Sequence, residues 1–245
     1  MKKENDSNPS EEQLDYAAQN CLIKIVHLMP HVDAHLDSML FRHNPLNDAN
    51  IPYRDLTNIE TKKVSLAKLI EKLNVETSIR YQRTPEDTYC NVYAYDYCLH
   101  AKVYLPTIWW TEESLKKIEA GEDVDVIYPV TVDHIYSSAI HDWFKRWGHC
   151  FGWVKMMDLD EIQNKINTEG GVGIICAKRK EVGLSGHIVS IVPETATHKA
   201  YREDGIVVYP LQSQAGILNF NYFSEERKDW WNDELYSSFV VYYHE

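Results

Sequence analysis

The stretch Thr88-Tyr89-Cys90-Asn91, followed much later by Gly186-His187-Ile188-Val189-Ser190-Ile191-Val192, decides the expected fold. After the first stretch, apolar residues recur at three- and four-residue spacing, which is the pattern of a helix. They are Tyr93, Ala94, Tyr97, Cys98 and Ala101. The second stretch is a short apolar run that ends at Pro193, and this pattern favours a strand. Cys90 is therefore expected at the start of a helix and His187 at the start of a strand.

A cysteine and a histidine in these positions are typical of a nucleophile and its base. A thiol attacks as the thiolate, and a helix N-terminus or a neighbouring imidazole lowers its pKa. The sequence predicts that Cys90 has the first and that His187 supplies the second. Each residue alone also has a structural alternative, since a buried cysteine often only packs and a histidine at a strand end is often ordinary surface or core. The combination, in this chain order, favours catalysis.

Helical patterns dominate the first part of the chain and strand patterns the last part. Residues 1–10 are predicted to be a disordered tail, and residues 11–78 a helical subregion whose first helix covers 11–42 with an interruption at Pro30. Further helices are predicted at 64–73, 88–101, from Glu112, around 140–147 and at 158–170. Strands are predicted at 172–177, 187–192, 206–211 and 238–243. Helices first and strands afterwards predict an α+β fold.

Composition argues against two classes of partner. The 245-residue chain has 37 acidic and 25 basic residues, a formal net charge of −12, and no Lys/Arg-rich run of the kind that binds phosphates, so no nucleic acid is expected. No stretch approaches the roughly 18 uninterrupted apolar residues of a membrane span. The polar residues 1–9 do not resemble a cleaved signal peptide. We expect synthesis in the cytoplasm, with any export through a secretion system or by lysis.

Four short motifs, in this order, resemble the papain-like bacterial cell-wall cysteine amidases and peptidases, the NlpC and CHAP families, and above all their phage- and effector-associated members. The motifs are Arg80-Tyr81, Thr88-Tyr89-Cys90-Asn91, Gly186-His187-Ile188 and Gln214-Ala215-Gly216. The resemblance implies a papain-like domain over 79–245, with the nucleophile helix packed on an antiparallel sheet. It also implies thiolate attack on an amide carbonyl, most often in peptidoglycan.

The same resemblance implies the roles of the central residues. Cys90 would be the nucleophile, and His187 the general base that later protonates the leaving amine. A third group should orient the imidazole. The CHAP pattern has a carboxylate where this chain has Gln212, with Gln214 two residues later. This departure predicts a Cys-His-Gln site, in which we favour Gln212 as the orienting residue, although either glutamine is equally compatible with simple hydrogen bonding at a strand end.

Supporting residues are predicted around this site. Tyr81 is implied to bind or polarise the substrate carbonyl, with a half-buried structural tyrosine as the alternative. Tyr89 and Asn91 flank the nucleophile. Aromatic faces stack on sugar rings, so Trp109 and Trp110 are candidates for lining a cleft, although large aromatic residues also dominate ordinary cores.

A metal site is not expected. His27, His31 and His35 recur at four-residue spacing, which would stack them on one face of a helix. Pro30 breaks that register, and no fourth ligand stands at a defined spacing. We therefore predict neither a metal nor another cofactor.

Three functions are compatible with these residues. The favoured one is a cysteine amidase or peptidase that cleaves peptidoglycan stem peptides. The second uses the same site as a protease, deamidase or transamidase effector acting on a protein, because thiolate attack commits only the acyl-enzyme. The third is a catalytically silent binding module. An effector of either enzymatic kind would also be compatible with an immunity or delivery partner.

Overall fold

A computed structural model describes residues 21–225 and 229–245 of the chain. The tail predicted at 1–10 and the first ten residues of the helix predicted from residue 11 lie outside the described residues. The fold is α+β, with five α-helices described and antiparallel sheets. This fold class confirms the prediction from the sequence.

The helices are α1 (Ile59–Leu73), α2 (Cys90–His100), α3 (Glu112–Glu119), α4 (Ser137–Trp147) and α5 (Leu159–Glu169). The strands are β1 (Ile108–Trp110), β2 (Val132–His134), β3 (Val154–Met156), β4 (Val172–Arg179), β5 (His187–Ile191), β6 (Tyr201–Glu203), β7 (Ile206–Tyr209), β8 (Gln212–Gln214), β9 (Phe220–Phe223) and β10 (Tyr236–His244). Short 3-10 helices cover Ile79–Tyr81, Gly148–Phe151 and Trp230–Asn232. None of the helices described has the length and apolar character to cross a membrane.

The chain divides into two units. The smaller unit joins the residues up to Val26 to Ile108–His134, and its strands β1 and β2 pair antiparallel. The larger unit consists of His27–Thr107 and Ile135–Glu245, and it contains all of the residues predicted to carry out the chemistry.

A six-stranded antiparallel sheet in the order β3-β10-β4-β5-β8-β9 forms the centre of the larger unit. The central strand β5 lies between β4 and β8, and it is buried along its whole length. Its pairing with β8 sets Ile191 opposite Gln212 and Ser190 opposite Ser213. Because the strands are antiparallel, movement along β8 from Gln212 toward Gln214 approaches the start of β5.

Helices cover both faces of this sheet. On one face, Ile162 and Ile166 of α5 belong to the same buried cluster as Ile175 and Ala177 of β4. Cys176 lies between those two strand residues and contacts Ser137 at the start of α4. Since neighbouring side chains of a strand point to opposite faces, α4 and α5 pack on opposite sides of the sheet.

Most elements that have local sequence signals form as predicted. The Asp158 carboxylate accepts from the amides of Asp160 and Glu161 and begins α5, and Gly170 ends it in the left-handed conformation. The predicted strands at 172–177 and 238–243 are β4 and β10, each extended by a few residues. Local capping and periodicity therefore sufficed for these elements.

Two predictions of secondary structure are wrong. In the described part of the helix predicted over 11–42, residues 21–42 form turns and irregular chain. Leu22 and Ile25, two apolar residues within it, are exposed, so packing does not offset the cost of forming this helix. The strands predicted from the sequence also omit β1, in which Ile108–Trp110 pairs with β2.

Candidate functional site

Cys90 is the first residue of α2, as predicted, and its buried thiol is surrounded by hydrogen-bond donors. The Ser137 hydroxyl lies 3.3 Å from Sγ, and the backbone amides of Ile188, Asn91 and Cys90 itself also bond to it. Burial raises the pKa of the Cys90 thiol, while these partners act to lower it. The thiol is therefore protonated at rest, and donors are already in place for the thiolate.

The contact with Ile188 locates the thiol at the start of β5. Ile188 follows His187 directly, so the candidate nucleophile and the candidate base meet the same short stretch of strand. A direct hydrogen bond between Sγ and the imidazole stays a prediction.

Ser137 is a site residue that sequence reasoning missed. It is the first residue of α4 and is fully buried. Its hydroxyl contacts Cys90, and its carbonyl accepts from the Cys176 thiol at 3.2 Å. No local signal could have found it, because the contact exists only once α2 and α4 have packed on the sheet.

His187 is held in one tautomer by a chain of hydrogen bonds. Its Nε2 lies 2.8 Å from Gln214 Oε1, and Gln214 Nε2 donates to the Leu218 carbonyl at 2.9 Å. A carbonyl can only accept, so it fixes which end of the Gln214 amide faces the imidazole. Nε2 therefore carries the proton and donates to Oε1, and in the neutral imidazole Nδ1 is then the accepting nitrogen.

The prediction that Gln212 orients the imidazole is wrong, because Gln214 makes that contact. Gln212 Oε1 instead accepts from the indole Nε1 of Trp230 at 2.9 Å. The indole ring in turn packs edge-on against the His187 imidazole, with 4.6 Å between ring centroids. Register explains the difference: Gln212 pairs with Ile191, at the far end of β5 from the histidine. Gln212 thus acts on the base only through the indole.

Two glycines of the motifs pack closely beside the histidine, and at Gly186 the packing requires a glycine. A Cβ on Gly186 would lie 1.9 Å from the Ala177 carbonyl oxygen, a distance that no side chain tolerates. A Cβ on Gly216 would lie 3.3 Å from Cε1 of His187 and 3.5 Å from Nε2 of Gln214. The motifs Gly186-His187 and Gln214-Ala215-Gly216 are therefore parts of one packed arrangement.

The predicted role of Tyr81 as a phenol beside the thiol is wrong. Tyr81 is fully buried, and its hydroxyl donates to Asp96 at 2.9 Å. Arg80 binds the same carboxylate through two nitrogens, at 2.7 and 3.2 Å. Burial, and then the neighbouring carboxylate, raise the pKa of Tyr81 well above its usual value. Arg80, Tyr81 and Asp96 form a structural ion-pair network that links the 3-10 helix at Ile79–Tyr81 to α2.

A short segment of irregular chain covers the residues that precede the two helix starts. The Arg42 guanidinium lies 4.0 Å from the ring centroid of Tyr89, and Arg42 also donates to two carbonyls in 79–82. The His43 ring lies 6.1 Å from that of Tyr89 and 6.3 Å from that of Tyr136. Tyr89, which directly precedes the thiol, thus packs against this segment.

Trp109 and Trp110 do not provide exposed stacking faces. Both are buried in β1 of the smaller unit, and the Trp110 indole donates to the Lys24 carbonyl at 3.2 Å. The core alternative applies to Trp109, whereas Trp110 also lines a cavity of about 260 Å³ within the smaller unit, and its role toward a substrate stays a prediction.

The histidines considered as metal ligands have separate partners. The His27 ring meets Tyr104 edge-on, whereas His31 stacks on Phe41 with 3.6 Å between centroids. His35 lines a cavity of about 1090 Å³ together with Asp48 and other polar residues. Without a helix at 27–35, the four-residue spacing does not place these rings on one face.

A second histidine lies in a chain of hydrogen bonds that resembles a catalytic triad. His141 Nε2 lies 3.1 Å from Ser238 Oγ, and Nδ1 lies 2.9 Å from the Asp142 carboxylate. The carboxylate is also paired with Lys178 at 2.5 Å. Triad catalysis needs backbone donors aimed at an oxyanion as well. With its carboxylate shared by a lysine, we interpret this chain as a structural link between α4, β4 and β10.

These contacts give the site a thiol with donors, a base of defined tautomer and an amide that holds the base. Comparison with protein-family models and with curated proteins finds no match, so the case for a function rests on this geometry.

Proposed function

We propose that this protein is a cysteine-dependent hydrolase of amide bonds, with Cys90 as nucleophile, His187 as base and Gln214 as the orienting residue. The observation that carries the proposal is the placement of the Cys90 thiol on the Ile188 amide, one residue from an imidazole whose Nε2 is engaged by Gln214. An imidazole whose Nε2 donates to an amide oxygen has Nδ1 as its accepting nitrogen, and proton transfer from a thiol requires such an acceptor.

The reaction follows from these positions. His187 Nδ1 accepts the proton of the Cys90 thiol, and the thiolate attacks the amide carbon to form a C–S bond. The imidazolium then gives its proton to the leaving nitrogen as the C–N bond breaks, which leaves a thioester. Water, deprotonated by the neutral imidazole, attacks the thioester and releases the acid and the free thiol. The Asn91 and Cys90 amides at the start of α2 bond to the sulfur and stabilise the negative charge of the thiolate.

Gln214 orients the base without adding a charge. A neutral hydrogen bond of this kind contributes about 1 kcal/mol, against about 1.5 to 3 kcal/mol when one partner is charged. Trp230 covers the same imidazole, which keeps water from competing for its Nε2 proton. The site therefore relies on position and exclusion of water more than on a carboxylate partner.

The substrate that we propose is the amide of a peptidoglycan stem peptide. Support comes from the motif order, which resembles papain-like cell-wall amidases, and from α2 packing on an antiparallel sheet, as a papain-like core requires. The acyl-enzyme step serves equally for an effector that cleaves, deamidates or transamidates a protein. Release by lysis or through a secretion system would bring either enzyme to its substrate.

The test is incubation with purified peptidoglycan, followed by mass spectrometry of the soluble products. We expect a free or shortened stem peptide from the wild-type protein and no product from Cys90→Ala. The matched control is Cys98→Ala, which removes another buried free thiol of α2 and should retain activity. No product from the wild-type protein, with a product from a protein or peptide amide substrate, would favour the effector. Equal product from Cys90→Ala would refute the assignment of the nucleophile.

A further inference from the structure

Two helices begin at the same sulfur atom. Cys90 is the first residue of α2 and Ser137 the first residue of α4, and their side chains meet at 3.3 Å. Neither helix has a side-chain cap, and neither has an acidic residue in its first turn. The first N–H groups of a helix carry partial positive charge and usually receive such a partner. Here the Cys90 sulfur lies at the start of both helices, where partial positive charge stabilises a negative charge on it.

We propose that Ser137 is a further catalytic residue, whose hydroxyl donates to the Cys90 thiolate and stabilises it together with the start of α4. The inference rests on the proposed function, because it assigns a role within the same site. Ser137 touches the reacting sulfur directly, and it does not act through another residue.

The direction of the hydrogen bond follows from the proton balance. In the resting thiol, either the sulfur or the Ser137 hydroxyl can donate to the other. Once the thiol proton has moved to His187, the sulfur can only accept, so the hydroxyl must donate. Ser137 is fully buried and its carbonyl already accepts from Cys176, so its hydroxyl is held at the sulfur without exposure to water. No oxidant or further reactant is needed.

The charged state of the neighbours supports this assignment. The Cys176 thiol on β4 interacts electrostatically with Cys90, and the His187 imidazole on β5 directly precedes Ile188, whose amide bonds to the sulfur. Burial raises the pKa of Cys176 well above its usual value, so that thiol stays neutral. Hydrogen-bond donors, with Ser137 the one side chain among those described at Sγ, therefore stabilise the thiolate that forms together with the imidazolium.

The experiment measures the rate at which iodoacetamide alkylates Cys90 as a function of pH, with peptide mapping by mass spectrometry to identify the modified thiol. We expect Ser137→Ala to lower the alkylation rate at pH 7 about 10- to 100-fold and to move the midpoint of the profile to higher pH. The control is Ser190→Ala, which removes another buried hydroxyl, one that has no hydrogen-bond partner, and should leave the profile unchanged. Ser137→Thr keeps the hydroxyl and should restore most of the rate.

Two results would overturn the inference. One is a Ser137→Ala protein that is folded, by circular dichroism, and alkylated with the wild-type profile. The other is a folded Ser137→Thr protein that is as slow as the alanine variant, which would show that packing and not the hydroxyl controls the thiol. Alkylation needs no substrate, so a failure of the hydrolase proposal remains distinguishable. In that case peptidoglycan and protein amides stay intact while the dependence on Ser137 persists.

Discussion

Replacement of Gln214 tests the assignment of the orienting residue most directly. Gln214→Ala removes the acceptor of the His187 Nε2 proton and the donor to the Leu218 carbonyl. The lost bond is worth about 1 kcal/mol to the neutral imidazole and about 1.5 to 3 kcal/mol to the imidazolium formed during acylation. Turnover depends on the difference between the two states, about 0.5 to 2 kcal/mol, so it should fall about 2- to 30-fold.

The glutamate variant separates orientation from charge. Gln214→Glu keeps an acceptor at Nε2 and adds a negative charge, which favours the imidazolium. The imidazolium should then lose its proton at higher pH, so the acidic limb of the kcat/KM profile should shift to higher pH. The substitution also removes the amide NH2 group that donates to the Leu218 carbonyl, so a modest decrease in thermal stability is expected.

The assay is initial hydrolysis rate against pH for each variant, with a thermal melt to show that it is folded. Gln212→Ala is the matched control, because it removes a buried glutamine of the same strand that contacts Trp230 and not the imidazole. Its effect on turnover should be smaller than that of Gln214→Ala. A larger loss from Gln212→Ala, or a pH profile that Gln214→Glu does not move, would refute the reasoning.

Three further outcomes are expected. Cys90→Ala should abolish hydrolysis without unfolding the protein, whereas Cys98→Ala should retain hydrolysis. If only Cys98→Ala were inactive, the nucleophile would have to be reassigned. Asp96→Ala leaves the buried Arg80 charge without its partner and should lower the free energy of unfolding in urea by about 3 to 5 kcal/mol, so a change below 1 kcal/mol would contradict a structural role. A fluorophosphonate probe should leave Ser238 unlabelled, and labelling there would show that the second hydrogen-bonded chain is reactive.

The helix start at Cys90 and the strand start at His187 could be predicted because both depend on local signals. The apolar spacing after Cys90 and the short run that ends at Pro193 each reflect one buried face of one element. The same reasoning failed at residues 21–42, where an apolar spacing exists but nothing buries Leu22 or Ile25. Periodicity shows which face an element would bury, and packing decides whether the element forms.

The remainder of the site depends on register and on contacts between distant segments. A register shift lies between Gln212 and Gln214 in the pairing of β8 with β9. The residue types alone therefore do not indicate which glutamine contacts the histidine. Ser137 reaches Cys90 only because α4 packs on β4. The motif implied that Tyr81 lies beside the thiol. In the structure its hydroxyl instead donates to Asp96, which also binds a buried arginine. The order of the motifs was enough to select Cys90 and His187 as candidates. The pairing of strands in the sheet determines which residues contact them.

The segment at Arg42 and His43 has a consequence for the kinetics. It contacts Tyr89 and Tyr136, beside the starts of α2 and α4, and Cys90 is 2% exposed and His187 6% exposed. If the segment has to move before a substrate carbonyl can reach the sulfur, that movement is a candidate for the step that limits turnover. When opening is the slow step, the departing group no longer matters. An ester and an amide of the same acyl group would then be hydrolysed at the same maximal rate, despite the large difference in their intrinsic reactivity.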